Sequence, residues 1–121
     1  MASYSKAQRP DSFIRVRLAQ VNAIGPGKAD LLEKIGETDS LAEAARQLGM
    51  NYRRAWGLVK AMNAAFRGPL VETSKGGTNR GRTVLTPMGQ DVLARYRRME
   101  KRAEQAIARE IREFNDLVGA P

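Results

Sequence analysis

The chain has 121 residues, with 21 Lys and Arg against 13 Asp and Glu, a formal net charge of +8, and neither cysteine nor histidine. That length holds one domain with a real hydrophobic core and falls short of a typical two-domain enzyme. The missing residue types exclude disulfides, zinc fingers, thiolate or imidazole metal sites, and Ser-His-Asp or Cys-His catalytic groups. No paired carboxylates converge in a motif that would serve general acid–base chemistry, so no enzyme is expected. Apolar runs are only a few residues long, and Met1–Lys6 is followed by no apolar stretch, so neither a membrane span nor a secretory signal is expected. The expectation is a cytoplasmic, nucleoid-associated chain whose basic balance suits a polyanion, most commonly nucleic acid.

Residues 1–12 are polar and aperiodic and read as a flexible arm. Phe13-Ile14-Arg15-Val16-Arg17-Leu18 mixes β-branched and apolar residues with Arg and suits a short strand. Gly25-Pro26-Gly27 reads as a turn or the start of a helix, because Pro in a first turn gives up an N–H that has no partner there. The first helix is predicted over Lys28–Ile35, with Leu31, Leu32 and Ile35 buried and Gly36 as its stop. Ser40-Leu41-Ala42-Glu43 is a capping box. It opens a short helix, Leu41–Leu48, with Leu41, Ala44, Ala45 and Leu48 inward. Gly49 ends it and Met50 plugs the turn. Asn51 then caps a third helix, about Tyr52 to Phe66. Two helices joined by a Gly-containing turn make a helix-turn-helix.

The third helix has two unlike faces. Ala55, Val59, Met62 and Phe66 cluster on one side, flanked by Tyr52, Trp56 and Asn63, with Tyr52 and Trp56 read as core or core rim. The other side presents Arg53, Arg54, Gly57, Lys60 and Ala61, without an acidic residue, where an ordinary solvated helix mixes Glu with Lys. Gly57 costs about 1 kcal/mol of helix stability relative to Ala, which suggests that something approaches the backbone there. Such a face fits a DNA major groove, with Arg suited to guanine and Asn51 to adenine, to phosphate, or to capping alone.

Leu70–Ser74 and Thr83–Leu85 read as two strands around a glycine-rich tip, Lys75-Gly76-Gly77-Thr78-Asn79-Arg80-Gly81-Arg82. No Gly-Lys-Ser/Thr opens a helix, so this is no nucleotide loop. It reads as a flexible basic wing whose Lys75, Arg80 and Arg82 neutralise phosphates or enter a minor groove. Residues 51–82 hold seven basic residues against Glu72 alone, so three quarters of the net charge lies in about a quarter of the chain. Thr86-Pro87 starts a last helix predicted to run some thirty residues, about 45 Å, to Leu117. Its apolar stripe is Val92, Tyr96, Met99, Ala103, Ile107, Ile111, Phe114 and Val118. The part beyond Ala103 outruns so small a body and is expected to meet the same stripe of a second copy. The expected division is an arm over 1–12, a DNA-binding unit over 13–86 and a dimerisation helix over 87–121.

Thr38–Met50 is similar to the LysR-type helix-turn-helix, and Leu70-Val71-Glu72 with Val84-Leu85-Thr86-Pro87-Met88-Gly89 resembles the wing strands and L-T-x-x-G element of that group. Asn51–Trp56 with Met62-Asn63, the pattern Y-x-x-A-W-x-x-x-x-x-M-N, and the Lys75–Gly81 wing look like the ModE branch, the DNA-binding domains of molybdate-responsive transcription regulators. The resemblance covers roughly residues 26–118. It implies a mainly α winged helix-turn-helix with a two- or three-stranded β wing and a long C-terminal dimerisation helix. It also implies a homodimeric regulator that binds double-stranded DNA. The DNA-contact set is then Ser40, Asn51, Tyr52, Arg53, Arg54, Gly57 and Lys60, with Lys75, Thr78, Asn79, Arg80 and Arg82 of the wing. The dimer set is Tyr96, Met99, Ala103, Ile107, Ile111 and Phe114. Two departures stand out. ModE proteins continue into oxyanion-binding domains, which are not expected in a chain that stops at Pro121, so neither molybdate nor any other cofactor is carried over. The wing also has Thr78-Asn79-Arg80 and Arg82 where the family is mostly glycine. The alternatives are an architectural binder that reads no sequence and a protein-interaction winged helix.

Overall fold

The computed structural model describes residues 15–19, 23–74 and 81–119. The expected arm over 1–12 lies outside them. The first helix, α1, is Pro26–Thr38, with Pro26 in its first turn as expected. It runs past Gly36 and stops at Asp39, which takes the left-handed conformation (φ 53°) and donates its N–H to the Ile35 carbonyl at 2.8 Å. Gly36 is therefore not the stop. A Cβ there would lie 3.2 Å from Leu85 Cδ1, so its bare backbone serves the close approach of a strand.

The next helix, α2, is Leu41–Leu48. Ser40 Oγ accepts from the Glu43 N–H at 3.1 Å, but the other half of the capping box differs from expectation. The Ser40 N–H goes to Thr38 Oγ1 at 3.2 Å, and the Glu43 carboxylate turns to Arg46 and Gln47. At the far end Gly49 (φ 71°) donates to the Arg46 carbonyl and Met50 to the Ala45 carbonyl, at 3.1 and 3.0 Å. This is the paired closure that a left-handed glycine permits, with Met50 half-buried behind it. Asn51 follows at once as cap of α3, Tyr52–Ala65, its Oδ1 accepting the Arg54 N–H at 2.7 Å. Three residues thus turn the chain from one helix into the next.

Strands β1, Val71–Thr73, and β2, Thr83–Leu85, pair antiparallel with Glu72 opposite Val84. The ladder continues toward the tip through Ser74 N–H to the Arg82 carbonyl and Gly81 N–H to the Ser74 carbonyl, both 2.8 Å. Among the described residues the sheet has two strands. Of the strand expected over 13–18, residues 15–18 form none and the first two lie outside the described residues. Arg15 and Val16 spend their polar groups elsewhere, on Asp30 and on the Tyr96 hydroxyl.

The helix that follows, α4, is Pro87–Ala106, capped by Thr86 Oγ1, which accepts the Gly89 N–H at 2.9 Å and donates to the Pro69 carbonyl at 2.7 Å. A Cβ on Gly89 would sit 2.1 Å from the Leu70 carbonyl oxygen, so only glycine admits the strand this close to the helix start. The L-T-x-x-G element is thereby a joint: the Thr86 N–H and hydroxyl bind the chain before β1, and the glycine makes room for it. The expected thirty-residue helix is broken. Ile107 leaves the α region (φ −114°, ψ 18°), and α5 runs Ala108–Asn115. Neither proline nor glycine stands at the break.

The core gathers Ala29, Leu31, Leu32 and Ile35 of α1, the four predicted residues of α2, Ala55, Val59 and Met62 of α3, Leu70, Val71 and Tyr96. One polar cluster closes its α1–α4 side. Arg97 reaches Asp30, Glu33 and Glu100 at 2.7–2.9 Å, and Arg15 bonds Asp30 from the N-terminal segment. Burial alone lowers the affinity of the Arg97 guanidinium for its proton, but the hydrogen bonds to Asp30 and Glu100 and the charge of Glu33 outweigh it. Three helices about a core, a helix-turn-helix between α2 and α3, and a hairpin beside them make a mainly α winged helix-turn-helix.

Candidate nucleic-acid interface

The exposed side of α3 carries Tyr52, Arg53, Arg54, Trp56, Gly57, Lys60, Ala61 and Ala64, and no carboxylate. Among the described residues no ion pair engages Arg53, Arg54, Lys60 or Arg67. Arg46, on the preceding helix, is different. It donates two hydrogen bonds to the Glu43 carboxylate and Gln47 donates a third, and these, those of Arg46 first, pull the Glu43 carboxyl down to about 2. A basic side chain on α2 is thus already neutralised, whereas those on α3 are available.

Among the described residues a Cβ added to Gly57 would meet nothing within 4 Å. None of them gives a reason for glycine at that position, and the bare patch lies between Arg53 and Lys60 on the solvent side. Asn51 is the cap, but only through Oδ1, and its exposed amide nitrogen keeps two donors. Capping and outward donation are compatible in this geometry.

Tyr52 and Trp56, read as core or core rim, are 57% and 43% exposed and belong to the rim rather than the core. The core direction of α3 runs through Ala55, Val59 and Met62, and both aromatics stand on the edge of the opposite face. Asn63 shows which edge. Its Nδ2 donates to the Val71 carbonyl at 3.0 Å, and its Oδ1 accepts from Leu70 and Val71 N–H at 2.8 and 3.2 Å. One amide ties α3 to β1 and thereby sets where the hairpin stands relative to the helix. The place of Asn63 on the flank of the apolar stripe and in the Y-x-x-A-W-x-x-x-x-x-M-N pattern does not by itself carry this role. The signal available was a polar residue at the border of an apolar stripe, followed by a Gly-Pro turn into a strand.

Asp39 is the second anchor that sequence reasoning missed. Its carbonyl accepts the Thr83 N–H at 3.1 Å, and its carboxylate takes Arg82 Nη2 and Nε at 2.8 and 3.2 Å. Arg82 was expected on phosphate; here it clasps the base of the hairpin to the α1–α2 corner, both partners half exposed. Ser40, next in sequence, is half-buried with its hydroxyl committed to the α2 cap. Lys75, Thr78, Asn79 and Arg80 lie outside the described residues.

The expected dimer set divides. Tyr96 is 1% exposed within the chain, its hydroxyl donating to the Val16 carbonyl and its pKa pushed up by burial, so it leaves the stripe. Met99, Ile107 and Phe114 are exposed, and Ala103 and Ile111 half-buried. No helix is long and apolar enough to cross a membrane, and no acidic cluster could hold a metal, among the described residues.

Residues 28–90 match the family described as bacterial regulatory helix-turn-helix protein, lysR family. The chain is 40% identical over 77 residues to the molybdenum-pterin-binding protein MopB of Rhodobacter capsulatus, covering 64% of this chain and 28% of that protein. It is 33% identical over 95 residues to the transcriptional regulator ModE of Haemophilus influenzae, covering 78% and 37%. To the DNA-binding transcriptional dual regulator ModE of Escherichia coli it is 31% identical over 84 residues, covering 69% and 32%. The chain spans about a third of the length of these relatives.

Proposed function

We propose, on the premise that this chain belongs to the lysR family of bacterial regulatory helix-turn-helix proteins, that it works as a two-fold dimer whose α3 helices enter successive major grooves of one duplex. That it is a DNA-binding regulator rather than an enzyme follows from the family; the dimer, the residues and the target genes are our reading. The observation that carries it is the acid-free side of α3, where Arg53, Arg54 and Lys60 have no ionic partner among the described residues. Arg53 and Arg54 suit bidentate contact with guanine edges, Asn51 an adenine or a phosphate, and Gly57 lets a strand come close to the helix. Lys60 and the wing's Lys75 and Arg80, with Thr78 and Asn79, neutralise phosphates or enter the minor groove, while Arg82 holds the wing's base to Asp39. Residues 13–86 form the DNA-binding unit, and residues 87–121 join the protomers through Met99, Ala103, Ile107, Ile111 and Phe114. The half-sites then lie one helical turn, about 34 Å, or a multiple apart. The protein acts where the chromosome is, in the cytoplasm. The names of the relatives favour genes of molybdenum uptake or use as targets.

Footprinting on genomic fragments, followed by titration of the protected duplex, tests this. Discrete palindromic protection is expected, with Arg53→Ala or Arg54→Ala weakening specific binding by about 1–3 kcal/mol and relaxing base preference. Uniform coverage of every fragment would replace the regulator with an architectural binder. Unchanged affinity in both variants would move the contact surface off α3.

A further inference from the structure

The DNA-contact face contains one group that charge does not explain. Trp56 is the only tryptophan of the sequence, and an indole left 43% exposed gives up burial that the same ring would gain in a core. Tyr52 stands one turn before it, 57% exposed. Tyr52, Trp56 and Asn63 fall within about 40° of one another around a helix of 3.6 residues per turn. Asn63 is bonded to β1, so this edge of α3 is the one that faces the hairpin. Arg53 and Lys60 are the helical neighbours of Trp56, at three positions before and four after. Trp56 thus stands between two cationic positions on the helix surface, on the border between the basic face and the edge that faces β1.

A protein partner would ask for a broad apolar patch, but the neighbours on the solvent side are Gly57, Ala61 and Ala64. A single flat apolar surface between cations, beside small residues, matches a groove in which phosphates flank isolated apolar groups. In the major groove that apolar group is the C5-methyl of thymine. A Trp inside a duplex groove has no exposed base face to stack on, so methyl contact is the chemistry open to it.

We propose that Trp56 is a specificity-determining residue that reads a thymine methyl on the hairpin side of the recognition helix. Tyr52, one turn closer to the helix start, flanks the same base step. The proposal rests on the DNA-binding reading above and adds to it a named base feature and a residue of different chemistry from the arginines.

The experiment uses a duplex enriched by the full chain from random-sequence DNA. Each thymine of a half-site is replaced in turn by deoxyuracil, which removes the methyl alone. The expected result is one position where the parent loses about fourfold in affinity, the value of one buried methyl, and where Trp56→Ala shows no loss. Trp56→Ala itself is expected to bind the enriched duplex on the order of tenfold more weakly, as for a mismatched base pair, and a scrambled duplex almost unchanged. Emission from Trp56 should change on addition of the enriched duplex. Should the alanine variant melt early, Trp56→Phe carries the same comparison with a smaller ring. If the parent binds the enriched duplex with no thymine behaving differently in the variant, or with emission unmoved, the proposal is wrong and the DNA-binding reading stands. If no duplex is enriched or bound, both fall together.

Discussion

Arginine has opposite fates in two regions of this molecule. On the α1–α4 side, Arg97 is surrounded by Asp30, Glu33 and Glu100, and its side chain is largely covered. On the outer side of α3, Arg53 and Arg54 are exposed and no described acid reaches them. The same residue type is spent on the fold in one place and left available in the other. A net charge of +8 does not distinguish them; the placement of carboxylates does. Asp30 and Glu33 sit one turn apart on α1, facing α4, while α3 has no acid along its length.

The comparison is broken most severely at Arg97. Arg97→Met takes the shared cation away from Glu33 and Glu100 and leaves Asp30 with Arg15. Breaking a covered ion pair by removing one partner costs about 3–5 kcal/mol. A fall in the thermal midpoint of well over ten degrees is expected, with duplex affinity retained below the transition. Arg54→Ala should do the reverse, leaving the melt within about 0.5 kcal/mol of the parent, as surface substitutions usually do. Equal melting curves for the two variants would erase the distinction between the regions.

Asn63 sits between the two behaviours, because it serves the fold in order to serve the site. Asn63→Ala leaves the N–H groups of Leu70 and Val71 and the Val71 carbonyl without their α3 partner. A loss of about 2 kcal/mol is expected. The sharper readout is the salt dependence of DNA binding. If Asn63 sets the wing, the variant should release fewer counterions, so the slope of log affinity against log salt becomes shallower. An unchanged slope would mean that the wing finds its place without this tie.

Much of this was legible in the residues, and the failures have physical causes. Ser40, Gly49, Asn51, Thr86 and Pro87 mark helix ends because their chemistry acts within four residues, and each stands where its spacing placed it. Gly36 misled because a glycine serves either a left-handed turn or a close approach, and only the position of Leu85 tells which. Tyr96, expected on the dimer stripe, is buried, and Trp56, expected in the core or at its rim, is 43% exposed. Both lie on apolar-looking stripes, yet one is covered by the N-terminal segment and the other faces open solvent. Periodicity gives a direction around a helix; what stands in that direction is a long-range fact. The Asp39–Arg82 clasp joins residues 43 positions apart and has no local signature.

Gly57 separates fold from site by a smaller margin and with opposite signs. No described residue lies within 4 Å of an added Cβ, so Gly57→Ala should stabilise the chain by about 1 kcal/mol through helix propensity alone. A rise of about 4 °C in the thermal midpoint is the corresponding shift for a domain of this size. The same methyl projects from the acid-free face, and affinity for the protected duplex should fall while stability rises. A variant that gains in both would show that no strand approaches the backbone there.

The smallest effect concerns Arg46, the arginine that the helix-turn-helix itself neutralises. Glu43→Gln removes the carboxylate that takes two of its hydrogen bonds and so brings its charge nearer to those found on α3. If an unpartnered cation alone made a DNA contact, affinity would climb as steeply as it falls in Arg54→Ala. The expectation is a rise of no more than about twofold, equal for the protected and a scrambled duplex, because an exposed charge outside the groove acts only through a screened field. The pH dependence has a definite sign. The Glu43 carboxyl is held down to about 2 in the folded chain. Its pairing is therefore fully present above the ordinary glutamate value of about 4.3 and is lost as the pH falls through the folded value. Between pH 7 and pH 5 the parent should show no change from this pair, and its Arg46 should stay neutralised throughout a DNA titration. A sequence-dependent gain in Glu43→Gln would instead place α2 in the groove beside α3 and widen the reading surface to both helices.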